Sequence, residues 1–336
     1  MSPYVRLSVI IPVYNGESFI LNSFSKLADL LYIEDEIIFI DNNSTDNSVD
    51  EIRKLSVNTN IPIKLFHEKK QGSGPARTHG IQQARGEYIV FIDVDDEVTS
   101  RHINQHIQFL KKNREYNFVY ARTLRVDNNN IIPIDKLNHT SEIINSKLAI
   151  DIITHFGNAP HLCTYIFRRQ FLIENAIVFS EDLRIGQDIF FQLCVLLSCE
   201  KSYYLHDVVF KYKKHAKSTT RIFGQNGKTA YNFYLFYKYC LANIYTLKIN
   251  DKRVLEDVLN QIQIGIMYNY KIHLSNLNQK PMDKTNLFSY MLNEIYSAKI
   301  NFREKVIIFL YFLKRNKVLN HLFNKAVINK RVSKSL

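Results

Sequence analysis

LSVIIPVYNGESFILNSFSKLADLLYIEDEIIFID, residues 7–41, changes its hydrophobic rhythm twice. It opens on a continuous apolar run, Leu7 to Pro12, that reads as a strand buried on both faces. Phe19, Ile20, Phe24, Leu27, Leu30 and Leu31 then recur at helical spacing behind Ser18, a residue type that caps helices, so Ser18 to Leu31 reads as an amphipathic helix. Glu36 to Asp41 restores the strand. NNSTDNS then leads into VDEIRKL, with Ser48 and Glu51 at capping-box spacing, and Ile63 to His67 is a third strand. The loop KKQGSG leads to Pro75 and the helical PARTHGIQQA, proline being well tolerated in a first turn, and Tyr88 to Asp93 is a fourth strand. Strand alternating with helix in this way specifies a parallel sheet covered by helices, an α/β fold.

Beyond residue 100 the pattern is mixed. A helix is expected near Ile103 to Lys112, a strand near Phe118 to Arg122, a polar turn at Asp127 to Asn130 and a helix after Gln187. From about Lys228 Gly and Pro nearly vanish, and helical periodicity runs through Tyr231 to Lys248, Val254 to Leu274, Lys284 to Ala298 and Arg303 to Asn316. The expected organisation is a catalytic-type α/β domain over 1–225, with halves 1–100 and 101–225, followed by a helical bundle over 226–336. No internal repeat or low-complexity linker interrupts it.

A chain of 336 residues with 46% hydrophobic content can bury a large core. Its four cysteines, Cys163, Cys194, Cys199 and Cys240, show no paired metal-ligand spacing and read as reduced, buried thiols, which favours a cytoplasmic location. The apolar run near the N-terminus ends at Pro12 without a cleavage site, so no export signal is expected. The longest apolar run, Val306 to Leu313, is eight residues, against the roughly 20 a bilayer requires. Of the net charge of +12, +8 lies in residues 303–336, where nine Lys or Arg face one acid, Glu304. No RNA- or DNA-binding motif accompanies that charge, and no nucleic-acid partner is expected. The apolar face of Phe302, Val306, Ile307, Phe309, Leu310 and Leu313, flanked by Lys305, Lys314, Arg315 and Lys317, suits a peripheral contact with anionic lipid. A helix packed on the bundle or on a second copy of the chain, giving a homo-oligomer, would show the same periodicity.

The strongest chemical signal is Phe91-Ile92-Asp93-Val94-Asp95-Asp96, carboxylates at the carboxyl end of a strand, where open α/β sheets bind ligands. Carboxylates one residue apart can give hard oxygen ligands to one Mg²⁺ or Mn²⁺, which in turn binds phosphate oxygens. The bland alternative is a solvated acidic turn capping the next helix. The Lys69 to Gly74 loop matches neither a P-loop nor a dinucleotide fingerprint, so its glycines read as turn residues.

Four stretches in order, LSVIIPVYNG, FIDNNSTDNS, QGSGPARTHGIQQARGEYIVFID and DVDDE, resemble the opening of the family 2 inverting glycosyltransferases with the GT-A fold. The resemblance covers residues 7 to 100. It implies a Rossmann-like, mostly parallel sheet with helices on both faces, and an enzyme that moves a sugar from a nucleotide diphosphate onto a glycan or lipid-linked glycan hydroxyl in bacterial surface-polysaccharide, capsule or lipopolysaccharide synthesis, at the inner face of the membrane. Pro12, Tyr14 and Asn15 match positions around the base and ribose, and Asp41 matches the carboxylate that receives a hydrogen bond from a uracil-type base, favouring a UDP-sugar. Arg77 matches a residue facing the donor phosphates. Asp93 matches the position near ribose and metal, and Asp95 the direct ligand of Mn²⁺ or Mg²⁺. His79 stands where the family usually has Asn. Ser180 to Phe190, SEDLRIGQDIF, resembles the segment that carries the general base, with Gln187 in place of the usual Glu. Asp188 is the candidate base, with Glu181 and Asp182 as alternatives, and capping of the following helix is the structural reading of Asp188. His215, within YKKHAKS, resembles a position that closes over the donor and is a further candidate metal or phosphate contact. The other ten histidines receive no role.

Two other classes stay open on the sequence. A sugar nucleotidyltransferase would carry a Gly-rich basic loop after the first strand, where this chain has Tyr14-Asn15-Gly16-Glu17. A non-catalytic binding module would keep the fold and lose the base or the metal ligands.

Overall fold

The computed structural model describes residues 4–96, 100–127, 130–133, 141–155, 159–183, 185–213, 229–249 and 251–276. Contacts divide the chain into two compact units, Met1–Ile222 and Phe223–Leu336. The first is built on β1 (Leu7–Val13), α1 (Glu17–Ala28), β2 (Glu36–Asp41), α2 (Ser48–Val57), β3 (Ile63–His67), α3 (Ser73–Gln83) and β4 (Tyr88–Phe91). It continues through α4 (Ser100–Lys112), β5 (Phe118–Asp127), β6 (Asn130–Pro133), β7 (Glu142–Ile144), α5 (Asn145–Thr154), a short 3₁₀ turn (Leu162–Thr164), β8 (Ile166–Arg168), α6 (Arg169–Glu174), α7 (Gln187–Leu197) and β9 (Lys201–Lys213).

One sheet runs through the unit in the order β3-β2-β1-β4-β8-β5-β9-β7, with β6 paired to β5. The first four strands are parallel, as the alternation of strands and helices requires; β8 lies antiparallel between β4 and β5. Chain order reverses on either side of β1, which places a crevice at the carboxyl ends of β1, β2 and β4. The sheet is therefore of the open α/β kind, parallel on one side and mixed on the other.

Both faces of β1 are buried. Leu7, Val9, Ile11 and Val13 join Ile37, Phe39, Val90 and Ile103 in one core cluster. On the opposite face Ile10 meets α3 at Gly80, where a Cβ would sit 2.3 Å from Ile10 Cγ2. Alanine normally stabilises a helix interior relative to glycine, by about 1 kcal/mol. At position 80 the sign reverses, because Ile10 is fully buried and has nowhere to move. Gly80→Ala should cost about 1–3 kcal/mol, and Ile10→Ala in the same chain should recover part of it; urea unfolding of the single and double variants measures both.

The helix starts differ from the sequence expectation. Glu17, not Ser18, begins α1, with Gly16 at its cap and no side-chain capping bond. Ser48 makes no capping box with Glu51; its hydroxyl accepts from Gly16 N at 2.9 Å and donates to Asp46 Oδ1 at 2.5 Å. The two loops at the crevice rim are thereby stitched together, which a local capping rule does not anticipate.

In the second unit, α8 (Thr229–Ala242) and α9 (Lys252–Asn276) pack closely, with Gly265 directly under the Tyr237 ring. The expected helices at 284–298 and 303–316 lie outside the described residues. No helix among the described residues is long and apolar enough to cross a membrane. All four cysteines fall within the described residues and form no disulfide; Cys163, Cys194 and Cys240 are buried and Cys199 is half-buried.

Candidate active site

The rim of the crevice follows β1 and β2. Pro12 is half-buried within β1, Tyr14 is exposed, and Asn15 adopts a left-handed backbone, φ 50°. Asn15 Oδ1 accepts from Thr45 N at 2.7 Å, and its own N–H donates to Ser44 Oγ at 3.0 Å, so the end of β1 is tied to the NNST loop. Asp41, buried at the end of β2, receives Ser44 N at 3.2 Å and faces His67 Nδ1 at 2.9 Å. Asp41 thus caps the turn of the NNST loop, and a carboxylate has further lone pairs to offer. Asn42 extends the stitching: its amide donates to the Glu68 and Lys70 carbonyls at 2.9 and 2.8 Å, and its oxygen accepts from Gly72 N at 2.7 Å. Gly72, at φ 140°, supplies the turn that only glycine takes easily and starts α3.

Arg77 does not face solvent. It is buried on α3, donates from Nη2 to Asp93 Oδ1 at 2.5 Å, and lies over the Phe179 ring, 5.5 Å from its centroid. Its Nε is buried without a hydrogen-bond partner. Burial alone would lift the Asp93 carboxyl, but the Arg77 guanidinium and the field of His161 hold it below the ordinary carboxylate value. Asp96 behaves oppositely: burial, then the charges of Asp93 and Asp95, push its carboxyl well above the ordinary value. His79 faces Glu68 Oε2 at 3.2 Å from Nδ1.

Four side chains converge here. Asp93, Asp96, His161 and Cys163 each present a ligand atom within 4.8 Å of the others. Asp95 sits half-buried on the same turn, outside that group of four, and its charge acts on both Asp96 and His161. Two buried or half-buried carboxylates beside an imidazole can hold a divalent cation, which would also relieve the crowding that raises Asp96. His161 and Cys163 have no counterpart in the sequence expectation. They precede β8, and only the pairing of β8 with β4 brings them to the acidic turn.

The opposite wall is α7. Gly186 caps it in a left-handed conformation, φ 76°, and Asp188 stands half-buried in its first turn. Burial holds the His161 imidazole below its ordinary value, and the charges of Asp93 and then Asp188 oppose that effect; the charge of Asp188 also reaches Arg77. Gln187 turns inward, donating from Nε2 to Ser73 Oγ at the start of α3. A Cβ at Gly74 would collide with Gln187 Oε1 at 2.1 Å and the Ser180 carbonyl at 2.5 Å, so glycine there lets the two helix ends touch. Glu181 and Asp182 are exposed, with Glu181 2.7 Å and Asp182 3.9 Å from Lys70 Nζ. An aromatic block holds α7 against the sheet: Phe179 stacks on Phe191 at 3.9 Å, and Phe91 and Phe167 meet Phe191 edge-on at 5.7 Å. His215 and residues 303–336 lie outside the described residues.

Residues 8–174 match the family model described as glycosyl transferase family 2. The chain belongs to that family. Among its relatives is the poly(ribitol-phosphate) beta-N-acetylglucosaminyltransferase TarS of Staphylococcus aureus, 25% identical over 213 residues, which are 62% of this chain and 35% of TarS. This family 2 chain thus spans about a third of the length of that curated relative. The crystal structure of S. aureus TarS 1–349 in complex with UDP-GlcNAc superposes with a TM-score of 0.61 at 21% identity, covering 91% of this chain and 79% of that one. The mannosyltransferase PcManGT from Pyrobaculum calidifontis, in complex with GDP-Man and Mn²⁺, gives a TM-score of 0.50 at 13% identity, covering 93% and 87%. At these identities the two structures speak for the GT-A fold alone.

Proposed function

We propose that this protein transfers a sugar, with inversion, from a nucleotide diphosphate donor to a hydroxyl of a glycan or lipid-linked glycan in cell-surface polysaccharide synthesis. The observation that carries the reading is the convergence of Arg77, the Asp93–Asp96 turn and the first turn of α7 in one crevice at the carboxyl ends of parallel strands. The TarS complex with UDP-GlcNAc supports a UDP-sugar as the donor. In this reading residues 1–100 hold the donor and residues 101–225 the acceptor. Pro12, Tyr14 and Asn15 border the base and ribose, and Asp41 receives the base N–H.

Asp188 takes the proton of the acceptor hydroxyl as the oxygen attacks the anomeric carbon from the face opposite the diphosphate. The sugar passes through an oxocarbenium-like state without a covalent intermediate, as in inverting glycoside hydrolysis. Arg77, buried and already aligned, offers its fork to the departing diphosphate oxygens, and costs no reorganisation when charge develops there. Asp93, Asp95 and Asp96 with His161 would hold a Mn²⁺ or Mg²⁺ ion, which supplies charge neutralisation to the diphosphate. Mn²⁺ in the PcManGT complex supports that choice. Glu181 and Asp182 are poor bases by comparison, since both are exposed and partnered with Lys70. Capsule or lipopolysaccharide as the destination, a homo-oligomer, His215 as a donor contact and anionic lipid as a partner of 303–336 extend the same reading.

Thermal unfolding with UDP, GDP, CDP and dTDP, each with and without Mn²⁺, tests it. A ligand that binds only the folded chain at 100 times its Kd adds about 2.7 kcal/mol of stability. UDP with Mn²⁺ should stabilise most, and Asp95→Ala should remove the metal dependence. No response to any nucleotide would leave a non-catalytic binding module as the better description.

A further inference from the structure

The donor set at the acidic turn is richer than a hard cation needs. Mg²⁺ binds through oxygen and keeps much of its water, so a buried thiol is of no use to it. Yet Cys163 is fully buried in the group formed with Asp93, Asp96 and His161, whose ligand atoms all lie within 4.8 Å of one another. Cys163 Sγ is 3.5 Å from Asp96 Oδ2. Zinc bonds of about 2.3 Å to sulfur and 2.1 Å to oxygen, meeting at a tetrahedral angle, give an edge of about 3.6 Å. Two oxygens, one nitrogen and one sulfur are also the ligand number and mixture that a four-coordinate zinc-class ion favours.

We infer that Asp93, Asp96, His161 and Cys163 form a binding site for a zinc-class divalent ion, and that such an ion competes with the catalytic one for Asp93, Asp96 and His161. Two carboxylates and a thiolate around a doubly charged ion leave one excess negative charge, and the Arg77 guanidinium, 2.5 Å from Asp93, lies beside it to offset that charge. A bound ion of this class occupies the three ligands that it shares with the catalytic ion, so it inhibits transfer. Only this inhibition rests on the proposed transferase reading; the binding itself stands on the four ligands.

The test is Co²⁺ titration of the metal-stripped 336-residue chain, followed by absorbance. The expected result is a near-ultraviolet thiolate-to-cobalt charge-transfer band that saturates at a single equivalent, with the intense visible bands of four-coordinate cobalt. Zn²⁺ should abolish the signal by displacement. Cys163→Ser and Cys163→Ala should both lose the charge-transfer band, with circular dichroism confirming the fold. Cys199→Ser, whose thiol lies outside the group, should keep it. His161→Gln should weaken Co²⁺ affinity at least about tenfold. Absence of the band in the wild type, or its survival in Cys163→Ser, overturns the site. Asp95→Ala separates the two readings, because it should keep the cobalt band while losing Mn²⁺-dependent stabilisation by UDP. A cobalt band in a protein that no nucleotide stabilises would support the site and sink the donor reading.

Discussion

Asp188→Asn is expected to lower kcat by about a hundred- to ten-thousand-fold, the span a positioned general base typically contributes, while Mn²⁺-dependent binding of UDP is unchanged. Asparagine has the same shape and remains compatible with the first turn of α7, so the scaffold should survive. What disappears is the group that can take a proton. The helix dipole favours a negative charge at that position by about 0.3–1 kcal/mol, which sets the small stability loss to expect. Steady-state transfer kinetics together with calorimetric titration of UDP give the comparison. Turnover at the wild-type rate would remove Asp188 from the mechanism, and a parallel loss of UDP binding would show that it supports the donor pocket instead.

Arg77→Leu is expected to damage stability and activity together. Leucine fills part of the space but leaves the Asp93 carboxylate facing a hydrophobic wall. Losing one partner of a buried pair costs about 3–5 kcal/mol, and the lower end applies because the Asp93 side chain is 32% exposed. Removal of a preorganised charge at the leaving diphosphate should lower kcat/KM by roughly 100- to 1,000-fold beyond any loss of folded protein. Arg77→Lys should recover stability better than activity, since lysine restores charge but not the two-pronged geometry. The acid limb supplies a second check. Asp93 is held below its ordinary carboxylate value in the folded chain, so its contribution is present above that value and fades as pH falls through the lower, folded one. The stability gap between wild type and Arg77→Leu should therefore narrow in acid. A gap independent of pH would mean that Asp93 is not what Arg77 stabilises.

Three of the first four strands, Leu7–Val13, Glu36–Asp41 and Tyr88–Phe91, were legible because parallel strands buried on both faces are written as apolar runs, whereas Ile63–His67 is a half-buried edge strand that carries Lys64 and ends on exposed His67. Cap positions were not legible. A serine caps a helix when its hydroxyl accepts from a backbone N–H of the first turn, and the Ser48 hydroxyl accepts instead from Gly16 N, 32 residues away. The site divided the same way. Arg77, Asp93 and Asp188 were visible as motif positions, but that Arg77 is buried against Asp93 depends on how α3 lies across β1 and β2. His161 and Cys163 gave no local signal because their proximity to Asp96 comes from the antiparallel insertion of β8, three residues long, beside β4. That Asp96 is buried was not legible, because burial is a property of the assembled turn and not of its composition.

The four rings of Phe91, Phe167, Phe179 and Phe191 form one solid piece between the strand that carries the acidic turn and the helix that carries Asp188. Separating base from acidic turn by more than thermal jitter would wet that piece, a loss of several kcal/mol at the usual worth of a buried ring. The two groups therefore share one clock. On heating, the near-ultraviolet dichroism of these rings and the capacity for turnover should decay with the same half-life, with no interval in which a folded chain has lost its chemistry.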